Sequence, residues 1–167
     1  MRMKARKFIN DYIAFAKETT IKTGIDFRFI LAQSALETGW GDKVVGNMMF
    51  GVKASKNTPD NKKQLITTRE VLSEINNNFP QVISITKRSD GKYTHIVKDW
   101  FRKYDTPEES FTDHAKFFLE NKRYAKALEF RSDPYRFAEE VAKAGYATDP
   151  NYANSLKAVI QSVERRL

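Results

Sequence analysis

The stretch SALETGWG, residues 34–41, holds one carboxylate, Glu37. It closes an almost entirely apolar segment, residues 27–37, whose pattern predicts a buried helix with Asp26 as its N-cap. Burial disfavours the ionised form of a carboxyl group and raises its pKa. A carboxylic acid that stays protonated near neutral pH can donate a proton to a leaving oxygen, so Glu37 is a candidate general acid. The alternative is a Glu that caps a neighbour or faces solvent.

Two glycines flank Trp40 directly after this candidate acid. Gly39 and Gly41 let the backbone turn sharply and approach a ligand closely. Trp40 offers an apolar face on which a sugar ring can stack, although a core position is the commoner fate of a Trp. The predicted end of the helix beside Glu37 therefore fits a site that admits a carbohydrate.

Other groups that could do chemistry are less clearly placed. Glu70 lies at the end of a predicted strand beside Arg69, and Glu74 competes with it four residues later. His114 falls beside the apolar stripe of a predicted helix, which favours a hydrogen-bonded structural role, and His95 lies in a predicted hairpin. Neither histidine is assigned a catalytic role. The chain has two His and no Cys, which disfavours a structural zinc site. No metal or cofactor is expected.

The length and net charge of the chain limit the classes of protein to which it can belong and the partners that it can bind. A chain of 167 residues with 41% hydrophobic and 30% charged residues fits one globular domain, and no apolar run reaches the length of a membrane span. The net charge of +8 favours a polyanionic partner, which leaves nucleic acid, an anionic membrane or an acidic cell-wall polymer open, beside simple solubility. The N-terminus lacks the apolar core of a signal peptide.

The elements that must position these groups are helices at both ends and strands in the middle. Residues 64–70, 81–87 and 93–101 are predicted strands, and Asp-Gly at 90–91 predicts a hairpin between the last two. Helices are predicted over residues 4–19 and 27–37 and after caps at Thr106, Asp133 and Asp149. The layout predicts an α+β domain over residues 1–167, in which a helical lobe and a small antiparallel β-lobe, about 60–104, form a cleft.

A series of ordered motifs covers the chain from about residue 8 to 163: AQSALETGWGDK, GNMMFGVKA, TTRE, FRKYDTPEESFTDHAKFF, RYAKAL and AGYATDPNYANSL. In this order they resemble glycoside hydrolase family 73, the peptidoglycan-cleaving β-N-acetylglucosaminidases. This family includes flagellar-rod-type muramidase domains, autolysins and phage lysins. The resemblance implies a lysozyme-like α+β fold. It also implies hydrolysis of the β-1,4 bond between N-acetylglucosamine and N-acetylmuramic acid.

The resemblance also implies roles for single residues. The family's general acid corresponds to Glu37, its second carboxylate to Glu70 in TTRE, and its motif tyrosine to Tyr146 in AGYATDP. Glu70 would act as a general base on water or stabilise the oxocarbenium-like transition state. Residues implied to bind substrate are Trp40, Asn47, Phe50, Gly51 and Tyr124.

The sequence departs from the family pattern in two places, one before the Phe-Gly turn and one after Glu70. Met48 stands where a polar residue is usual before the Phe-Gly turn, so one substrate contact is expected to differ. The segment from Glu70 to the FRKY strand is longer than usual because of residues 72–92, so the geometry of the β-lobe is expected to differ. Glu70 is preferred over Glu74 as the second carboxylate.

Two other readings stay open beside hydrolysis. A lytic transglycosylase needs one acid and forms an anhydro product. The second alternative is a non-catalytic basic module of a phage or secretion apparatus. The presence of both Glu37 and Glu70 argues against this alternative. The expected partners are peptidoglycan glycan strands, with no nucleic acid, no membrane span and a monomeric state. The expected place of action is the cell wall or periplasm. Because no signal peptide is recognised, the protein is expected to be encoded by a phage or exported by another route.

Overall fold

The computed structural model describes residues 2–167, and these fall into two compact units. A helical unit comprises residues 2–50 and 104–167, and a sheet unit comprises residues 51–103. The α+β class predicted from the sequence is confirmed. That one catalytic domain spans residues 1–167 stays a prediction.

Within the described residues, six α-helices form the helical unit: α1 (Arg2–Thr23), α2 (Phe27–Thr38), α3 (Pro107–Glu120), α4 (Ala125–Leu128), α5 (Pro134–Lys143) and α6 (Tyr152–Glu164). Helix α2 packs against α1, α5 and α6. This central position explains why its sequence is apolar on almost every side. Phe29 and Leu31 of α2 are completely enclosed, as are Phe137 of α5 and Leu156 of α6.

The helix starts follow the predicted caps. Asp26 accepts a hydrogen bond from the Arg28 N–H at the start of α2 (2.8 Å), and Thr106 accepts one from the Glu109 N–H at the start of α3 (3.3 Å). Asp133 caps α5 in the same way, with Pro134 as the first helical residue. Helix α6 starts later than predicted, at Tyr152, because Asp149 accepts the Asn151 N–H and forms a turn first.

The sheet unit contains three antiparallel strands: β1 (Lys63–Leu72), β2 (Gln81–Lys87) and β3 (Tyr93–Arg102). The predicted β2–β3 hairpin is confirmed, with Gly91 at a φ of 81° in its turn. Strand β3 is central, so the order is β1-β3-β2. The unit begins at residue 51 rather than near 60 because residues 52 and 54 form backbone hydrogen bonds with the end of β3.

The two faces of the sheet differ in burial. His95, Val97 and Phe101 alternate along β3 on one face and are at most 8% exposed. The Nε2 atom of His95 accepts a hydrogen bond from the Asn76 N–H (3.0 Å) and so fastens the β1–β2 connection over this face. His95 is thus a buried structural residue. No helix in residues 2–167 is long and apolar enough to cross a membrane.

Candidate active site

Glu37 lies in the last turn of α2, and its side chain is exposed to solvent. The helix is buried as the sequence predicts, but at Glu37 itself the alternative of a solvent-facing side chain applies. The core-facing residues of α2 stop with Ala35 and Thr38, while Leu36 and Glu37 project outward. The carboxyl is nevertheless flanked by enough protein for desolvation to raise its pKa, and Lys43 opposes the shift. Glu37 therefore combines an accessible carboxyl group with a preference for the protonated form.

The backbone after Glu37 runs through three consecutive residues with positive φ: Gly39 (61°), Trp40 (59°) and Gly41 (94°). The third position is also crowded, because a Cβ there would lie 3.2 Å from Cδ2 of Phe8. Trp40 is not a glycine, and such a conformation costs on the order of 1–3 kcal/mol. Its N–H donates to the Ala35 carbonyl (2.9 Å), which holds the turn.

Trp40 packs edge-on against Phe8, with ring centroids 5.8 Å apart and an interplanar angle of 90°. The indole is half-buried, so part of its surface remains accessible. The tight turn thus fixes an aromatic ring three residues from the candidate acid. This placement is compatible with both predictions for Trp40, core packing and sugar stacking.

The loop that follows, residues 44–50, is fastened by two buried serines. The Ser34 hydroxyl donates to the Met49 carbonyl (2.8 Å), and the Met49 N–H donates to the Ser110 hydroxyl (2.9 Å). Asn47 has a φ of 53°, and its side-chain amide donates to the carbonyls of Tyr104 (3.0 Å) and Asp105 (3.1 Å). The NH₂ group of Asn47 therefore holds backbone, which is a structural task.

Phe50 ends this loop and is 4% exposed. Its ring is stacked on the imidazole of His114, with centroids 3.7 Å apart and an interplanar angle of 19°. Burial lowers the pKa of His114 to about 3, so the ring is neutral over the physiological range. His114 is hydrogen-bonded and neutral, in agreement with the structural role predicted for it.

Tyr146 lies against this histidine, with its hydroxyl 3.0 Å from Nε2. It follows Gly145, whose φ of 84° ends α5 and turns the chain. Burial raises the pKa of the Tyr146 hydroxyl well above its usual value, and the charges of Tyr152 and Glu37 add to the effect. Glu37 thus contributes to the electrostatic environment of Tyr146 within the helical unit.

A second tyrosine, Tyr152, belongs to the same group. Its ring is stacked on that of Tyr146 (5.5 Å, 26°), and its hydroxyl accepts a hydrogen bond from the Gln33 side chain (3.0 Å). Burial raises the pKa of Tyr152 to about 12, Gln33 lowers it, and Glu37 raises it. Sequence reasoning missed both Gln33 and Tyr152 as members of the site. The available signals were that Gln33 precedes Glu37 by one helical turn and that Tyr152 lies in the AGYATDPNY motif.

Tyr124 is placed differently from the expectation of a substrate contact. It is 1% exposed and packs against Phe118 (5.1 Å between centroids) and Tyr146 (6.4 Å). Tyr124 is thus buried against Tyr146, and Phe50 is buried against His114. Their burial favours a supporting role over direct contact with a sugar.

The remaining predicted residues belong to the sheet unit. Glu70 is a half-buried residue of β1, directly opposite His95 of β3. The ammonium group of Lys53 lies 2.8 Å from Glu70 and 3.1 Å from Asp99. Burial opposes the charged form of Lys53, but hydrogen bonds to both carboxylates raise its pKa overall. Glu74 is an exposed residue beyond the end of β1.

Gly51 opens the sheet unit, and among the described residues a Cβ at this position would meet no atom within 4 Å. The φ of Gly51 does not demand a glycine either. The position therefore leaves open space next to the backbone, as a site that admits a ligand close to the main chain requires.

Comparison with known proteins places this arrangement in a family. Residues 13–165 match the model of the glucosaminidase family, described as mannosyl-glycoprotein endo-β-N-acetylglucosaminidase. A peptidoglycan hydrolase, FlgJ, from Vibrio parahaemolyticus is 34% identical over 165 residues, which cover 94% of this chain and 47% of the relative. The chain thus spans about half the length of this curated relative, and no more of the next ones.

Solved structures agree with this placement. The glycoside hydrolase domain of Salmonella typhimurium FlgJ superposes with a TM-score of 0.73 at 29% identity, over 96% of this chain and 89% of that domain. The catalytic domain of the autolysin Auto from Listeria monocytogenes, 23% identical, shares the fold with a TM-score of 0.68 over 96% and 85% of the two chains. The resemblance predicted from the ordered motifs is confirmed: this chain belongs to the glucosaminidase family, glycoside hydrolase family 73.

Proposed function

We propose that this chain is a peptidoglycan hydrolase that cleaves the β-1,4 bond between N-acetylglucosamine and N-acetylmuramic acid. Support comes from its membership of the glucosaminidase family and from its similarity to proteins named peptidoglycan hydrolases. The relatives are longer than this chain, so the assignment concerns the part that is shared. The place of action is then the cell wall, and the chain works as a monomer.

Glu37 is the general acid in this proposal, and one observation carries it. The carboxyl group is exposed, so a glycosidic oxygen can reach it, and its pKa is raised by desolvation. An acid of this kind holds its proton closer to neutral pH than an ordinary Glu does and donates it as the leaving oxygen departs. Lys43 opposes the rise in this pKa and so favours the carboxylate that remains after the proton has passed to the leaving oxygen.

Tyr146 provides a positioned hydroxyl beside this acid. Its pKa is raised by burial, so the hydroxyl remains neutral at any pH at which the enzyme works. Neutral His114 forms a hydrogen bond with this hydroxyl, and the ring of Tyr152 is stacked on the ring of Tyr146. A neutral hydroxyl in a fixed orientation can hydrogen-bond a sugar substituent and stabilise the positive charge that develops in the transition state.

Glu70 is the second carboxylate in this proposal, acting as a base on water or as an electrostatic stabiliser. Its ion pair with Lys53 holds the side chain in one orientation. Asp99 shares the same cation, so the three groups form a network that Glu74 lacks. The two roles differ in outcome, because a base on water inverts the anomeric configuration.

Among the predicted substrate-binding residues, the accessible ones are proposed to contact sugar directly. Trp40 offers the exposed part of its indole, and Gly51 leaves open space beside the backbone. Asn47, Phe50 and Tyr124 shape the site from behind by holding the loop and the aromatic cluster.

The test is digestion of purified peptidoglycan sacculi, followed by turbidity and by mass spectrometry of the released muropeptides. Glu37→Gln should abolish clearing, whereas Glu129→Gln, which alters an exposed glutamate of the same unit, should not. A new reducing end on N-acetylglucosamine supports the proposal. An anhydro-muramic product would assign a lytic transglycosylase instead, and equal clearing by Glu37→Gln and the parent would refute catalysis by this residue.

A further inference from the structure

The positive charge of this chain is concentrated in the sheet unit. Residues 51–103 contain eleven Lys and Arg against five Asp and Glu, which gives +6 of the total of +8. The helical unit is more than twice as long and carries only +2. Simple solubility does not require such segregation, so the distribution within the sheet unit is informative.

Strand register assigns these charges to faces. Residues directly opposite each other in an antiparallel pair have side chains on the same side. Lys63, Thr67 and Arg69 of β1 oppose Arg102, Lys98 and Ile96 of β3, and Leu65 opposes Trp100. We call this surface the basic face, formed by Lys63, Leu65, Thr67, Arg69, Ile96, Lys98, Trp100 and Arg102.

The carboxylates of the sheet lie elsewhere. Glu70 and Asp99 alternate with the basic face and point to the opposite side, where both bind Lys53. Asp90 lies in the β2–β3 turn and pairs with Arg88. At the edge of the basic face, Asp60 pairs with Lys63, which also lies over the Trp100 ring (5.0 Å). Within residues 2–167, neither Arg69 nor Lys98 pairs with a carboxylate.

Apolar side chains interrupt the cations on this face. Trp100 is 37% exposed and Leu65 is 46% exposed. Lys98 and Arg102 flank Trp100 along β3, each about 7 Å away at the rise of a strand. The Lys63 ammonium lies over the Trp100 ring, and the part of the indole that stays exposed, beside these cations, is suited to a ligand that offers both a ring face and negative charge.

We propose that the basic face binds the glycan strands of peptidoglycan through the carboxylates of their stem peptides, with Trp100 stacked on a sugar ring. This inference rests on the proposed function, because the proposed function identifies peptidoglycan as the polymer that the chain acts on. Charge complementarity carries it, because stem peptides supply carboxylates at regular intervals along a strand. Such a face holds the enzyme on an insoluble polymer between cleavage events, independently of the residues that cleave the bond.

The experiment measures binding to sacculi stripped of covalently attached anionic polymers, so that stem peptides provide the anions. The parent and two charge-matched double variants are compared, all in the Glu37→Gln background to prevent digestion. Arg69→Gln with Lys98→Gln alters the basic face, and Lys87→Gln with Lys92→Gln removes the same charge from exposed positions of the same unit. We expect the first pair to weaken binding about tenfold and the second to change it less than about twofold.

Three further measurements sharpen the outcome. Sacculi whose carboxylates are amidated should bind the parent as weakly as untreated sacculi bind the Arg69→Gln/Lys98→Gln variant. Trp100→Ala should reduce binding in high salt as well, because stacking is not screened. With Glu37 restored, cleavage of soluble, peptide-free glycan chains whose lactyl carboxyls have been amidated should be equal in both double variants, which separates this inference from the proposed function.

Equal loss in both double variants would overturn the inference, since only net charge would then matter. Unchanged binding of the Arg69→Gln/Lys98→Gln variant would also overturn it. Tighter binding of duplex DNA than of sacculi, lost in the same variant, would assign the face to nucleic acid instead. If the parent cleaves no glycan but the basic face still binds sacculi, the proposed function fails and this inference stands.

Discussion

The hydroxyl of Tyr146 lies 3.0 Å from Nε2 of His114, and the imidazole is stacked on Phe50. Because burial lowers the pKa of His114 to about 3, the imidazole is uncharged near neutral pH. A neutral imidazole can accept the tyrosine proton through Nε2, which leaves the lone pairs of the Tyr146 oxygen available to a substrate. His114 is therefore a positioning residue, acting through Tyr146.

His114→Phe is expected to lower kcat with little change in KM. The variant keeps an aromatic ring against Phe50 but loses the hydrogen bond, which contributes about 1 kcal/mol, or about fivefold in rate. Steady-state kinetics on a soluble muropeptide chain would measure both constants. A merely structural role would instead appear as a lower melting temperature with unchanged kinetics of the folded fraction.

A double-mutant cycle is the control for this prediction. Tyr146→Phe removes the partner hydroxyl, so adding His114→Phe to it should cost little more than Tyr146→Phe alone. Additive losses from the two substitutions would contradict a shared hydrogen bond as the reason for the effect.

Activity should fall as pH rises through the pKa of Glu37, because the general acid must carry its proton. Lys43 favours the carboxylate, so Lys43→Met should raise the pKa of Glu37 further and move the alkaline limb of the kcat/KM profile to higher pH. Lys126→Met, at an exposed position remote in sequence, serves as the charge-matched control. An unchanged alkaline limb in Lys43→Met would show that another group titrates there.

Glu37→Gln should stabilise the protein near neutral pH. A carboxyl whose pKa is raised in the folded state destabilises that state once it ionises, so the parent loses stability as pH rises from the unfolded-state pKa through the folded-state pKa. Below both values the group is neutral in both states and the variant gains nothing. Because the side chain is exposed and screened, we expect a rise in Tm of roughly 1–2 °C at pH 7, absent at pH 3, in thermal scans.

The limits of sequence reasoning follow from the range of the interactions involved. The cap at Asp26 and the turn at Gly91 depend on neighbouring residues, and both were predicted. The pairing of β1 with β3 joins strands separated by β2, and no local signal specifies it. The exposure of Glu37 at the end of α2 is not specified locally either, because an apolar pattern does not reveal where a helix leaves the core.

The polar contacts of the site show the same limit. Gln33 and Tyr152 are 119 residues apart, and Met49 and Ser110 are 61 apart. A buried Gln or Ser in a helical pattern gives no indication of its distant partner. The family resemblance implies roles for Glu37 and Tyr146 but not these contacts, since it transfers roles only at matched motif positions.

Gly41→Ala should destabilise the protein more than Gly39→Ala. Both positions have positive φ, but only at Gly41 would a Cβ also approach Phe8, at 3.2 Å. We expect a loss of about 1 kcal/mol for Gly39→Ala and about 2–3 kcal/mol for Gly41→Ala. Urea unfolding of the two variants measures the difference, and equal losses would show that Phe8 moves aside freely.

Glu70→Gln and Glu74→Gln should differ in activity by far more than in stability. If Glu70 is the second carboxylate, its amide variant loses its negative charge and its basicity, and kcat should fall about 100-fold or more. Glu74 is exposed beyond β1, so its variant should keep activity within about twofold. Glu70→Gln also leaves Lys53 with only Asp99, and a small drop in Tm should reveal that separate structural effect. Full activity in Glu70→Gln together with loss in Glu74→Gln would exchange the two assignments, and the anomer first released, followed by NMR, would show whether the remaining carboxylate activates water or only stabilises the transition state.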